Sequence, residues 1–336
     1  MNYEQLRKNI LQQAAKQNIP VHGEFELTSN CNLNCLMCYV NEGVFQPGLS
    51  TEEWKNIFQA AVKNGLLFAL LTGGEVFLRP DFIELYNYLY DLGVKITIYT
   101  NGTLINDEII ATLIKRPPEF LAITLYGSNN ETYYQVTGKL NCFDKVDQNI
   151  DKLLKNKINL GLRTVPIRII YEEIDEIIKY VKSKNISMGY YLYVGPKRGI
   201  PNYDLNYRLT PHELIDYQNK LINAFGYKID FRNSDDGFTC SALRSAYFVT
   251  WQGVMQPCAM LNYPSMKISG DFLETWEYLN DKVKQVPKCQ ACFSCKYKKD
   301  CLQCMAKLYL EGGFDQCSDY LKEIAKLRYE VRNGKV

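Results

Sequence analysis

The chain has 336 residues, of which 46% are hydrophobic and 23% charged, and its formal net charge is +2. These values fit a soluble globular protein with one large and one smaller domain, and the charge excludes a strong pull toward nucleic acid or a membrane surface. No apolar run is long enough to span a bilayer, and the N-terminal MNYEQLRKNILQQAAKQ is charged throughout, unlike a signal peptide.

That N-terminal segment reads as an amphipathic surface helix. From Gly23, short β-branched runs alternate with helical patterns. The strand candidates are GEFELTS, LLFALLTGG, VKITIYT, FLAITLYG, INLGLRTV and SMGYYLYVG. The first helix between them starts at Ser50, with Glu53 completing a capping box. Further helices are expected over Asp81 to Asp91, Asp107 to Lys115, Asp144 to Asn156 and Tyr171 to Lys184. Repeated strand–helix units imply a parallel sheet, because parallel strands need crossover connections. The expected fold class is α/β, a partial (β/α)6 TIM-like barrel with active residues at the C-terminal ends of its strands.

The pattern breaks after Gly195, where GPKRGIPNYDLNYRLTP reads as a connection. A helix is expected from Thr210 to about Phe225, with Thr210 as cap, Pro211 in the first turn and Glu213 as an early acid. From Cys240 onward the segments are short and weakly periodic. That region is expected to lack an apolar core of its own and to be held together by metal. The division is 1–22 as a helical extension, 23–200 as the barrel, 201–234 as a bridge and 235–336 as a cysteine-rich domain.

Cysteine usage points to the chemistry. There are 12 cysteines, 11 of them in two dense groups. In a cytoplasmic chain such clustering indicates metal rather than disulfides. Histidine is nearly absent, with only His22 and His212. That argues against a His-rich zinc or mononuclear iron site and against a Ser-His-Asp triad. Cys31, Cys35 and Cys38, in CNLNCLMCY, follow directly on the first strand candidate. Three thiolates on one loop can cap three irons of a [4Fe–4S] cluster, leaving the fourth iron for a small molecule. A structural zinc site would need a fourth Cys or His nearby, and none follows before Gly74.

This C-x3-C-x2-C run with its aromatic Tyr39 resembles the radical S-adenosylmethionine (SAM) enzymes. The resemblance implies that the open iron takes the amino and carboxylate groups of SAM. Reductive cleavage would then give a 5′-deoxyadenosyl radical that abstracts hydrogen from substrate. LTGGE at the end of the second strand resembles the family's GGE motif, which implies SAM-binding roles for Gly73, Gly74 and Glu75. Two glycines let backbone approach a ligand closely, and a carboxylate accepts from a cation. YTNGTLI resembles the third-strand segment and marks Asn101, whose other reading is a turn residue. ITLYGSNNETYYQVTG resembles the fourth-strand segment and marks Thr124 as a polar residue near SAM. On the fifth strand Arg163 is a candidate partner for the SAM carboxylate or ribose. Ordinary strand-end polar residues are the competing reading for Thr124 and Arg163.

The second group runs Cys240, Cys258, Cys289, Cys292, Cys295, Cys301, Cys304 and Cys317. It resembles the SPASM domain, a C-terminal extension of one radical SAM subfamily, with two departures. The last inner spacing is x2 rather than x3, and Cys289 is additional. Eight cysteines match two further [4Fe–4S] clusters, making three in all. The resemblance implies that Cys292, Cys295, Cys301 and Cys317 hold the distal cluster. Cys240, Cys258 and Cys304 would hold the nearer one, with Cys289 as a possible fourth ligand or with one iron left open. Zinc remains the alternative for this block, because C-x2-C pairs are good zinc sites. The leftover Cys142 reads either as a small buried residue or as a thiol hydrogen donor to a substrate radical.

SPASM enzymes mostly modify peptides or proteins, so the expected substrate is a ribosomally made peptide that is crosslinked or epimerised. Ala259 stands where sulfatase maturases commonly carry an aspartate base, which lowers the weight of that reaction. Only about 22 residues precede the first strand, too few for a winged-helix leader-binding domain, so a separate leader-binding protein is expected. A flavodoxin- or ferredoxin-type reductant is implied as well. The 25 tyrosines, with the YYLYVG run, suit an amphipathic cleft for peptide or sugar, although that run reads equally as buried sheet. Alternatives are a radical reaction on a small molecule such as an amino sugar, and a non-catalytic iron–sulfur or zinc scaffold or electron carrier. No nucleic-acid module is visible.

Overall fold

The computed structural model describes residues 2–40, 48–198, 205–227, 241–301 and 304–334. Helix α1 (Tyr3–Gln17) leads into strand β1 (His22–Glu26). There follow α2 (Thr51–Lys63), β2 (Phe68–Thr72), α3 (Phe82–Asp91), β3 (Lys95–Thr100), α4 (Asp107–Lys115) and β4 (Phe120–Thr124). Two helices, α5 (Asn130–Thr137) and α6 (Cys142–Lys155), precede β5 (Leu160–Thr164). Then come α7 (Arg168–Glu172), α8 (Ile174–Ser183), β6 (Ser187–Tyr190) and α9 (Pro211–Phe225). The C-terminal part carries β7 (Ala246–Val249), β8 (Val254–Gln256), β9 (Met266–Lys267) and α10 (Phe272–Lys284). Helices α11 (Gln290–Phe293), α12 (Met305–Glu311) and α13 (Asp319–Arg332) complete it.

The capping signals act as the residues require. Both capping boxes form, Ser50 with Glu53 at α2 and Thr210 with Glu213 at α9. Each satisfies backbone N–H groups that the first turn leaves orphaned. The stretch expected as one helix from Tyr171 to Lys184 is divided between α7 and α8 at Glu173.

All six expected strands pair in parallel, in the order β6-β5-β4-β3-β2-β1. The sheet then continues past β1. Strand β7 lies parallel against β1, with Glu24 opposite Phe248, and β8 and β9 add antiparallel to β7. Alternation along β1 sends Phe25 outward, where its ring meets Trp54 at 6.2 Å and Phe58 at 5.1 Å on α2. Glu24 and Glu26 therefore face the other side. Strands β1 and β5 are four places apart, about 19 Å in a flat sheet. Glu24 nevertheless lies in the field of Arg163 on β5. The sheet is curled into the expected partial barrel, with these side chains inside it.

The cysteine-rich part adds to the barrel's apolar core: Tyr247, Val249, Met255, Phe272, Trp276 and Leu327 all belong to the main hydrophobic cluster. The Trp276 indole also donates to the Asn18 carbonyl at 2.8 Å, tying α10 to the end of α1.

Candidate functional site

The three first-group cysteines lie on the loop at the C-terminal end of β1, where parallel-sheet sites are built. Helix α5 fixes that loop. Its last carbonyls, Thr137 and Val136, have no intrahelical partner and accept the N–H groups of Asn34 at 2.9 Å and Leu36 at 3.0 Å. Gly138 ends α5 in the left-handed conformation, φ 67°, leaving room for the loop to pass. Sequence reading placed no helix over this segment; its Asn129 cap and Gly138 stop were the available signals.

The end of β2 presses against the start of the loop. The Gly74 and Glu75 N–H groups donate to the Thr28 and Asn30 carbonyls, both at 2.8 Å. A Cβ on Gly74 would stand 2.2 Å from the Asn30 oxygen, and one on Gly73 2.5 Å from the Thr28 oxygen. The two glycines are thus required by a close backbone approach. Glu75 is 1% exposed. Its carboxylate accepts from Thr100 Oγ1 at 2.6 Å, the Asn101 N–H at 2.7 Å and the Phe77 N–H at 3.2 Å. Burial nonetheless raises its pKa.

Asn101 carries this network onto the cysteines. Its Nδ2 donates to Cys31 Sγ at 3.7 Å and to Asn32 Oδ1 at 2.9 Å, while its Oδ1 accepts from Thr103 Oγ1 at 2.6 Å. Asn32 Nδ2 in turn donates to Thr103 Oγ1 at 2.8 Å. The GGE segment, the third-strand end and the cysteine loop are therefore one hydrogen-bonded unit. Thr100, Asn32 and Thr103 were not marked from sequence. Neither was Tyr126 after β4, which hydrogen-bonds Cys35. Burial pushes the Cys31 thiol up to about 11 against hydrogen bonds from the Leu33 N–H and Asn101, so ligation must displace a proton there.

The remaining barrel residues converge less tightly. Thr124 ends β4 opposite Arg163 in register. The Arg163 guanidinium stacks over Tyr99 at 4.0 Å and Tyr191 at 5.2 Å and donates to the Tyr191 hydroxyl. Tyr39 lies under the Arg198 guanidinium at 5.2 Å. Cys142 is the first residue of α6; it is buried and directs its thiol to the Leu140 carbonyl at 3.6 Å.

The second group falls into two sets. Cys258 and Cys304 pack together around Ala242, Leu261, Met305 and Ala306. Cys289, Cys292 and Cys317 pack around Leu308 and Leu321, and Cys295 and Cys301 lie in their electrostatic field. Cys289 was expected with the nearer set; it stands instead with Cys292, which hydrogen-bonds it. Cys240 lies outside the described residues. All eleven described cysteines are free thiols. Among the described residues no three Cys, His, Asp or Glu side chains converge on a point where one metal ion would sit. Thiolates around a cluster each take a different iron and so surround a cube rather than meet. Three thiols on one short loop, with a hydrogen-bond donor aimed at a sulfur, fit that group.

No helix among the described residues is long and apolar enough to cross a membrane. The profile of the Radical SAM superfamily matches residues 25–187. The chain is 27% identical over 344 residues to the AdoMet-dependent heme synthase of Methanosarcina barkeri, covering 92% of this chain and 96% of that protein. It is 32% identical over 140 residues to the subtilosin biosynthesis protein AlbA of Bacillus subtilis, covering 41% of this chain and 31% of that protein. Among solved structures, Streptococcus suis SuiB bound to precursor peptide SuiA superposes with a TM-score of 0.70 at 19% identity, over 95% of this chain and 80% of that one. That last likeness is one of fold.

Proposed function

Residues 25–187 are a radical SAM domain in a chain related to peptide-modifying SPASM maturases, and from that premise we propose that it matures a ribosomally made peptide. The first cluster, held by Cys31, Cys35 and Cys38 with SAM at its fourth iron, would supply the 5′-deoxyadenosyl radical that takes hydrogen from the substrate. Gly73, Gly74, Glu75, Asn101, Thr124 and Arg163 would line the SAM-binding side of that loop. In this reading Glu75 and Asn101 orient the loop, and Arg163 would offer its guanidinium to a carboxylate of SAM. Cys258 and Cys304, with Cys240, would hold the nearer auxiliary cluster, and the set around Cys292 the distal one. A reductant would complete the reaction system.

The observation that supports this most is the single unit made by Glu75, Asn101 and Cys31, which ties the GGE segment and the third-strand end to the cysteine loop. A peptide is favoured by the tyrosine-lined interior, where Tyr99, Tyr191 and Tyr39 present amphipathic faces. A second reading, a tetrapyrrole substrate, is favoured by the end-to-end match to a heme synthase. The test is anaerobic incubation of reconstituted protein with SAM, dithionite and either a short peptide encoded beside this gene or an iron porphyrin. A mass change in the peptide supports the first reading; conversion of the porphyrin with an unchanged peptide replaces it by the second.

A further inference from the structure

Arg198 follows β6 and joins three parts of the protein. Its guanidinium makes a bidentate ion pair with Glu26 at the end of β1, Nη1 to Oε2 at 3.0 Å and Nη2 to Oε1 at 3.2 Å. The two side chains are 9% and 0% exposed. The same plane lies over the rings of Tyr39 at 5.2 Å and Phe248 at 5.4 Å. Its Nε donates to the Ala259 carbonyl at 3.1 Å, and its backbone N–H to the Tyr39 carbonyl at 3.3 Å. Tyr39 follows Cys38, and Ala259 follows Cys258. One side chain thus reaches from beside a first-group cysteine to beside a second-group cysteine.

Stability alone does not explain this arrangement. Desolvating two charges is costly, and well-packed apolar side chains of similar volume commonly hold such a place without loss. What a guanidinium adds is direction, since its donors are fixed in one plane. Here that plane orients a carboxylate, a carbonyl and two ring faces at once. We propose that Arg198 is a positioning residue that fixes Cys38 and Tyr39 relative to Cys258 and Ala259, so that the two cysteine groups form one rigid site. The proposal rests on the first group holding a SAM-binding cluster.

The test uses the full chain, reconstituted anaerobically, as wild type, Arg198→Lys and the paired neutral variant Glu26→Gln/Arg198→Met. Iron content, melting temperature, SAM affinity and the electron paramagnetic resonance (EPR) spectrum of the reduced protein with and without SAM are measured. Arg198→Lys keeps the charge but not the planar fork. It should retain iron and melt within a few degrees of wild type, yet bind SAM roughly tenfold more weakly, about 1.4 kcal/mol, and give an altered SAM-induced spectrum. The paired variant, which leaves no buried charge unpaired, should show the same loss. Wild-type SAM affinity and spectra in both variants would overturn the proposal. So would a loss that merely tracks falling iron content and melting temperature. A wild type that holds iron but binds no SAM would instead remove the underlying reading, and this proposal with it.

Discussion

Asn101 donates its side-chain amide to Cys31 Sγ at 3.7 Å, while its own backbone N–H is held by Glu75 at 2.7 Å. The end of the third strand thereby grips a candidate cluster ligand. Hydrogen bonds to ligand sulfurs raise cluster reduction potentials. Asn101→Ala should leave the iron content unchanged and make the first cluster harder to reduce. A redox titration followed by EPR reads the shift; an unchanged midpoint would show that the amide does not act on the sulfur.

Removing Cys31, Cys35 and Cys38 together should lower bound iron by roughly four atoms per chain and abolish 5′-deoxyadenosine formation. Cys142→Ala should leave iron unchanged, because that thiol lies at the start of α6 against the Leu140 carbonyl. Iron analysis of the two variants separates the roles. Retention of all iron in the triple variant would move the first cluster elsewhere.

Arg79 holds the end of β1 in place. Its Nη1 donates to the Leu27 carbonyl and its Nη2 to the Leu49 carbonyl, both at 2.9 Å, and its Nε pairs with Asp81 at 2.7 Å. Arg79→Ala should cost about 2–3 kcal/mol, since it strips several charge-assisted bonds from a mostly buried site. Urea denaturation measures this; a loss below about 0.5 kcal/mol, the range of ordinary surface changes, would contradict it. Burial works against the Asp81 charge, but Arg79 and Thr51 outweigh it and hold the pKa low. A carboxylate with a depressed folded pKa gives stability above its unfolded value, about pH 4, and that contribution is lost as pH falls further. The difference between wild type and Asp81→Asn should therefore be full at pH 7 and shrink in acid.

Glu24 behaves in the opposite sense. Burial inside the barrel pushes it up to about 7, with Arg163 working in the other direction. Its contribution is most favourable below its unfolded pKa and is lost as pH rises through 7. Glu24→Gln should match wild type near pH 4 and be the more stable above pH 7, by about 1.4 kcal/mol for each unit of raised pKa at most. Melting curves at the two pH values decide this; a variant less stable than wild type at pH 8 would mean that the carboxylate has a partner when ionised.

The barrel was largely legible in the sequence because short strand-forming runs alternate with helical patterns, and strong caps mark helix starts, as at Ser50 and Thr210. Helix α5 was hidden because Thr132, Tyr133, Tyr134 and Val136 are strand formers, and its packing under the cysteine loop overrides them. Strand β7 was hidden because only four residues pair with β1, and a parallel partner so distant in sequence leaves no local signal. Cysteine spacing located both groups but could not assign Cys289, whose neighbours Cys292 and Cys317 are set by the packing of α12 and α13 around Leu308 and Leu321. Arg198 sits in a Gly- and Pro-rich run that reads as a connection, and its role comes only from contacts distant in sequence, with Glu26, Tyr39, Phe248 and Ala259.

The account turns on reductive cleavage of SAM at the loop of Cys31, Cys35 and Cys38. The most direct measurement is 5′-deoxyadenosine released by anaerobically reconstituted protein given SAM and dithionite, compared with the variant lacking those three cysteines. The wild type should release it and the variant should not. Equal amounts from both, or none from a wild type with its full iron content, would contradict the account.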